Sequence, residues 1–289
     1  MTVANIIVQG LLLGGLYALY AVGLSLIFGV MRIVNLAHGD ISILAAFISL
    51  LIVDALGFNP FVSLVVVIPV MFVVGFFLQR GILNFTLSGD EMRPILVTFG
   101  ISIILQNVLL ETFTADSQGL DAGLIETQSI AITGNLAIGW FPLTVMVLAI
   151  VVITGLNLFL TRTQMGRAFR ATSDDQEAAR LVGVNNQRVY SIAMGISLGI
   201  VALAGVVMGI RTTFDPLTGP MRLIFAYEAV IIGGLGSSWG TLLGGVILGV
   251  SQALGAYVSP GWGVLTGHLV FMVVLGLRPQ GLLPKTVDV

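Results

Sequence analysis

The sequence contains no cysteine. Disulfide staples and thiol chemistry are therefore excluded, and redox compartment leaves no mark on the chain. Charge is almost as scarce: Asp, Glu, Lys and Arg make up 9% of 289 residues, against about 25% in soluble domains. Lysine occurs once, at Lys285 after Pro284, so the GxxxxGK[ST] loop that cradles nucleotide phosphates is missing. The chain is thus expected not to hydrolyse ATP itself. The net charge is -2 and no basic stripe exists, which leaves nothing to hold nucleic acid. Histidine is limited to His38 and His268. Even with Asp40 beside it, His38 falls short of the three or four ligands a metal site takes, so no metal is expected.

What remains is apolar. At 57% hydrophobic residues and a mean hydropathy of +1.06, no soluble core of this length hides so much greasy surface. The composition specifies an all-α polytopic membrane protein. Glycine, at 36 residues, is roughly twice its ordinary share. Small residues let membrane helices approach closely, and GxxxG spacings at Gly195/Gly199, Gly205/Gly209, Gly240/Gly244 and Gly245/Gly249 suit that role.

About 20 apolar residues cross a bilayer. On that measure the spans fall near Ile6 to Val30, Ile41 to Leu56, Pro60 to Leu78, Pro94 to Leu110, Gly139 to Leu160 and Val189 to Ile210. The first is too long and too poor in basic residues for a cleaved leader, and Gly14 and Gly15 would let it tilt or break. From Ala229 to Leu277 there is no formal charge. GGLGSS at Gly233 to Ser238 and SPGWG at Ser259 to Gly263 divide this run. It yields a short segment at Leu223 to Ile232 and spans at Trp239 to Val258 and Trp262 to Leu277. Eight or nine membrane helices in one domain, residues 1–289, are expected.

The longest charged interruption, residues 162–188, holds five of the twelve basic residues: Arg162, Arg167, Arg170, Arg180 and Arg188. The positive-inside rule places it in the cytoplasm. Arg32, Arg80, Arg93, Arg278 and Lys285 then fall on the same side, with Arg211 and Arg222 opposite, and the N-terminus outside. Glu111 to Gln128, which has acids but no Lys or Arg, belongs outside as well. Within the loop, Ser173 and Gln176 fit a capping box. A short helix from Asp174 to Val182 is expected, with acids in its first turn, Ala178, Leu181 and Val182 near one apolar face, and Gly183 ending it in a left-handed conformation. So short a helix is marginal alone and needs something to dock against.

Candidate pathway residues are the polar ones inside apolar stretches. Asn35, His38 and Asp40 form a knot at the start of the second span, which serves either to cap that helix at the interface or to line a path. Gln106 and Asn107 lie within the fourth span, and Glu228 lies in the short segment, where it pairs with Arg222 or lines water. Ser237 and Ser238 sit in the GLGSSWG break. GSSWG formally matches the GxSxG elbow of serine hydrolases, but that motif needs a strand, a turn and a converging His and acid, so a helix break is expected instead. Asn35 to Ala46 and Gly234 to Gly245 echo one another as glycine-containing breaks before small-residue helices, the pattern of transporters built from repeats with interrupted helices.

Several stretches together resemble the permease subunits of branched-chain amino acid ABC importers, the LivH-type family. They are GLYALYAVGLSLIFGVMRIVNLAHGD (Gly15 to Asp40), GRAFRATSDDQEAARLVGVN (Gly166 to Asn185), AVIIGGLGSSWGTLLGG (Ala229 to Gly245) and GLRPQGLLP (Gly276 to Pro284). Glu177-Ala178-Ala179 with Gly183 four residues after the second Ala resembles the EAA motif of such permeases. The resemblance implies an ABC importer permease fold with broken helices and alternating access. It also implies coupling to ATPase subunits through Glu177, Ala178, Ala179, Arg180 and Gly183. No cofactor is implied in this chain, with ATP and Mg used by the partner ATPases. The implied partners are two cytoplasmic ATPases, a second homologous permease subunit (a heterodimer over a homodimer), a periplasmic or lipid-anchored amino-acid-binding protein and membrane lipid. The implied location is the bacterial cytoplasmic (inner) membrane. Urea or short amides are alternative cargoes, and an ion-coupled secondary transporter or channel is the alternative class.

Overall fold

A computed structural model describes residues 3–87, 92–133 and 136–283. Lys285, assigned above to the cytoplasm, lies outside them. Twelve α-helices occur among the described residues. They are α1 (Val3–Met31), α2 (His38–Leu56), α3 (Pro60–Gly81), α4 (Met92–Phe113), α5 (Leu124–Thr127), α6 (Trp140–Arg162), α7 (Gln164–Asp174), α8 (Gln176–Leu181), α9 (Asn186–Arg211), α10 (Gly219–Gly233), α11 (Ser238–Val258) and α12 (Trp262–Leu277). Seven of these, α1, α2, α3, α4, α6, α9 and α11, are long and apolar enough to cross a membrane. The eight or nine spans expected are corrected to seven full-length ones; α10 with 15 residues and α12 with 16 also run between the two ends of the bundle but are shorter than the roughly 20 residues of a full-length crossing. The stretch after α5 holds a small antiparallel hairpin, β1 (Ser129–Thr133) and β2 (Leu136–Gly139). With an isolated antiparallel bridge between Gln118 and Phe214, it is the β structure among the described residues.

α1 and α9 are enclosed on nearly every side, whereas α3, α4 and α6 present ridges of exposed Val, Leu, Ile and Phe. Such surface has no place in water over this area and marks the lipid-facing wall. Glycine sets the contacts at the centre. A Cβ on Gly14 would lie 2.4 Å from the Val246 Cα, and one on Gly249 would lie 2.4 Å from the Gly10 carbonyl oxygen. The Gly245/Gly249 pair therefore meets Gly10 and Gly14 where α1 crosses α11. Gly205 meets the Ser42 backbone in the same way, and Gly244 meets Ala229. α1 does not break at Gly14 and Gly15; it is continuous, and these positions are spent on close approach to α11 and α6.

The loops gather at two ends of the bundle. At one, Gly29 lies against Gly236, Ser173 Oγ donates to the Gly29 carbonyl (2.5 Å), and Leu282 N donates to the Ile232 carbonyl (2.9 Å). At the other, Asn59 Nδ2 donates to the Ala122 carbonyl (3.2 Å), Gln118 N to the Phe214 carbonyl (2.8 Å) and Gln9 Nε2 to the Ala137 carbonyl (3.0 Å). The first end carries nine of the eleven described basic residues, from Arg32 to Arg278, and the second carries Arg211 and Arg222. By the positive-inside rule the first end is cytoplasmic. α10 starts toward the outer end and finishes at the cytoplasmic one, so the segment at 219–233 returns the chain to the Arg-rich side.

Candidate functional site

α2 begins in the interior rather than at a membrane surface. Met31 ends α1, Arg32 adopts a left-handed backbone (φ 56°), and an extended stretch leads back into the bundle. Asn35 Oδ1 accepts from Ala37 N (3.1 Å), which turns the chain into the helix. His38 Nε2 then donates to the carbonyl of Tyr20, near the middle of α1 (3.0 Å). Ser42 Oγ donates to Gly39 O (2.5 Å), leaving its lone pairs for the Tyr20 hydroxyl at 3.0 Å. Asn35, His38 and Asp40 are all essentially fully buried, so the interfacial cap considered from the sequence is corrected: the knot is a mid-depth helix start.

Asp40 draws α4 to this point. Ser102 Oγ donates to Asp40 Oδ2 (2.5 Å) and Gln106 Nε2 donates to Asp40 Oδ1 (3.1 Å), while Leu36 N donates to Thr98 Oγ1 (3.1 Å). Thr98, Ser102 and Gln106 recur every four residues and so form one polar stripe on a helix that otherwise faces lipid. Gln106 is therefore part of the knot. Asn107 is not: it is exposed and donates to Ile103 O of its own helix (2.8 Å). Gly219, the first residue of α10, packs against Asp40; a Cβ on Gly39 would lie 2.0 Å from its carbonyl oxygen. Two helix starts, α2 from the cytoplasmic end and α10 from the outer end, thus meet inside the protein. The echo proposed between residues 35–46 and 234–245 pairs two real breaks, but the segment that α2 actually meets is the start of α10.

A second cluster joins α1, α10, α11 and α12. Glu228 is buried and pairs through Oε1 with His268 Nδ1, halfway along α12. Arg222, the alternative partner, instead donates to Thr212 Oγ1 (3.1 Å). Tyr17 donates to Gln252 Oε1 (2.5 Å), and Phe225 stacks on His268 at 6.2 Å and lies 5.4 Å from the Tyr17 ring. Glu228 Oε2 and Gln252 Nε2 are buried without hydrogen-bond partners. His268 had no sequence signal linking it to Glu228, because 40 residues, including the whole of α11, separate them.

The Arg-rich loop, expected from the sequence to be cytoplasmic, folds as two helices. The expected capping box on Ser173 is corrected: Ser173 lies in the last turn of α7 and binds Gly29 O, while Asp175 caps α8 by accepting from Glu177 N (2.8 Å) and Ala178 N (3.0 Å). The continuous helix from Asp174 to Val182 becomes six residues, Gln176–Leu181. Gly183 does end it left-handed, at φ 87°. Gly183 N donates to Arg180 O and Val184 N to Ala179 O, both at 3.0 Å, the two bonds of a Schellman turn. Ala179 points inward and is 2% exposed, whereas Glu177, Ala178, Arg180, Leu181, Val182 and Gly183 all face out. A cleft of about 460 Å³ beside α8 is lined by Arg180, Gly183, Asn185 and Gln187. Ser237 caps α11 through Gly240 N (3.1 Å) and Ser238 opens the helix, so the GxSxG match is a helix start.

Residues 6–276 match the family model described as branched-chain amino acid transport system / permease component. The permease protein LivH of Salmonella typhimurium, of a high-affinity branched-chain amino acid transport system, is 30% identical over 96% of this chain and 94% of its own. BraD of Pseudomonas aeruginosa, of a system described in the same words, is 27% identical over 96% of this chain and 95% of its own. Among solved structures, PsaBC from Streptococcus pneumoniae in complex with Fab shares the fold, with a TM-score of 0.50 and 13% identity over 96% of this chain and 93% of that one. With the match running from α1 to the end of α12, this polytopic chain belongs to the branched-chain amino acid transport permease family.

Proposed function

We propose that this chain is the membrane-spanning subunit of an ATP-driven importer for branched-chain amino acids in a bacterial cytoplasmic membrane. Its partners in that reading are two ATPases, a second permease subunit and a solute-binding protein. The observation that carries the coupling is the bare apolar tip of α8, where Leu181 is 88% and Val182 77% exposed at the cytoplasmic end. Burying two such side chains against a partner contributes on the order of 1.5–3 kcal/mol each, and Arg180 and Glu177 beside them add polar contacts. Asp175 and the Gly183 turn hold this tip rigid, so motion of a docked ATPase passes into α7 and, through Ser173 and Gly29, into α1. The path is assigned to the mid-depth start of α2 (Asn35, His38, Asp40, Gln106) and to Glu228, with Ser237 and Ser238 at its cytoplasmic mouth. A zwitterion with an apolar tail suits isolated polar groups set among Leu, Val and Phe.

The test is reconstitution of the complete importer in proteoliposomes. ATP-dependent leucine uptake is expected. The double variant Leu181→Asp, Val182→Asp should lose uptake and ATPase stimulation at least tenfold while reaching the membrane at normal yield. The Glu228–His268 pair, a mid-depth acid with a titratable partner, favours one second reading, an ion-coupled carrier. Uptake that persists without ATPase and collapses with the ion gradient would select it.

A further inference from the structure

A cavity of about 230 Å³ opens at the cytoplasmic end between α1, α6, α7 and the start of α11. The proposed transport path touches it only at Ser237 and Ser238. Its wall carries one charged residue, Arg170, and no carboxylate. Ser25 also lines it; this serine is 2% exposed and its hydroxyl has no hydrogen-bond partner. Opposite lie Ser237 and Ser238, where the 21-residue helix α11 begins and its positive dipole end borders the space; Ser237 Oγ already takes the Gly240 N–H, which leaves those of Ser238 and Trp239 for a ligand. Asn157 and Thr161 of α6 add two uncharged polar groups, Leu26 and Trp239 are part of the apolar wall, and Trp239 is nearly half exposed at the end of the bundle where an indole ring anchors in lipid headgroups.

These features are complementary to one kind of ligand. A single guanidinium, an orphaned hydroxyl and a helix N-terminus all donate, and no acceptor charge opposes them. An oxyanion of one negative charge is what they satisfy. The apolar rim and the site's position at the membrane edge add an alkyl portion. We propose that this cavity binds the phosphodiester headgroup of an anionic phospholipid. The phosphate accepts from Arg170, Ser25 and the start of α11, and the glycerol and upper chains rest on Leu26 and Trp239. Arg170 stays anchored by its contact to Leu160 O, so the guanidinium is already aimed and little ordering cost remains. Because Arg170 belongs to α7, the bound lipid ties the charged loop to α1 and α11, and the loop's order depends on membrane composition.

Direct binding to the purified chain in detergent, using short-chain phosphatidylglycerol, phosphatidylcholine of equal chain length and inorganic phosphate as probes, decides the matter. Phosphatidylglycerol is expected to bind at least tenfold tighter than phosphatidylcholine. Ser25→Ala, which removes only an unpartnered oxygen and leaves folding intact, should weaken it about threefold to tenfold, and Arg170→Gln at least tenfold. Arg188→Gln, on the exposed side of the loop, should change nothing. Should Arg170→Gln fail to fold, Ser25→Val, which also fills the space, takes its place and should cost the same preference. Equal binding of both lipids, or an unchanged preference in Ser25→Ala and Ser25→Val, overturns the proposal. Inorganic phosphate binding as tightly as phosphatidylglycerol reassigns the site to a soluble phosphate and overturns the lipid.

Discussion

A carboxylate at mid-depth in a membrane bundle costs about 2.5–3.5 kcal/mol even on the lenient insertion scale, and Asp40 and Glu228 meet that cost differently. Asp40 takes one donor on each oxygen, from Ser102 and Gln106, and so locks α4 onto α2. Asp40→Asn keeps one oxygen but sets an amide N–H₂ against one of those donors. It should lower the thermal midpoint in detergent, with a loss of about 1–3 kcal/mol. Glu228 satisfies one oxygen through His268 and leaves the other unpartnered, which is the condition of a group held ready for a transient ligand. Glu228→Gln should therefore leave the thermal midpoint within a few degrees and reduce uptake about tenfold or more. Asp40 thus serves the proposed path by holding its wall together and Glu228 by meeting the cargo, and a result with the two phenotypes exchanged would reverse those roles.

Among elements, the crossing of α1 and α11 and the capping of α8 show what each helix depends on. Gly14→Ala puts a Cβ 2.4 Å from backbone, so the helices must separate, and a loss of about 1–3 kcal/mol is expected. Gly100→Ala, on the open face of α4 with nothing within 4 Å, should be neutral or gain up to about 1 kcal/mol from helix propensity. Thermal unfolding of the two variants side by side checks both. Asp175→Ala removes the cap of α8, worth about 1 kcal/mol, and should cut ATPase stimulation without loss of membrane yield. Sequence alone points to Ser173 for this cap, and the physical reason it misleads is range. Ser-x-x-Gln is a local pattern, and Ser173 has a tertiary partner 144 residues away at Gly29 that no local pattern reveals. The long helices were legible because twenty apolar residues leave few alternatives. Gly183 was legible because a left-handed turn selects glycine. The Glu228–His268 pair and the meeting of α2 with α10 were not, since helix packing alone brings them together.

Over the whole molecule, the fold gathers at one end the arginines that the sequence assigns to one side, and the absence of cysteine makes the orientation itself directly measurable. Arginine gathers at the end where Gly29, Ser173, Gly236 and Gly281 lie together, and the opposite end holds the acidic segment with Asp116 and the β1–β2 hairpin. Seven long helices alone would put the two termini on opposite sides of a membrane. The half-length α10, which starts inside against Asp40 and still reaches the cytoplasmic end, keeps that parity, because α11 and α12 then go out and back. Single cysteines report each step with no background. Val182→Cys and Leu282→Cys should react with an impermeant maleimide only after the cytoplasmic face is opened, and Asp116→Cys should react from outside in sealed cells. Labelling of Leu282→Cys from outside, with Val182→Cys still cytoplasmic, would mean that α10 turns back toward the side it came from. Its start beside Asp40 would then be a re-entrant loop rather than half of a crossing. The path would have to run past it instead of between the two helix starts.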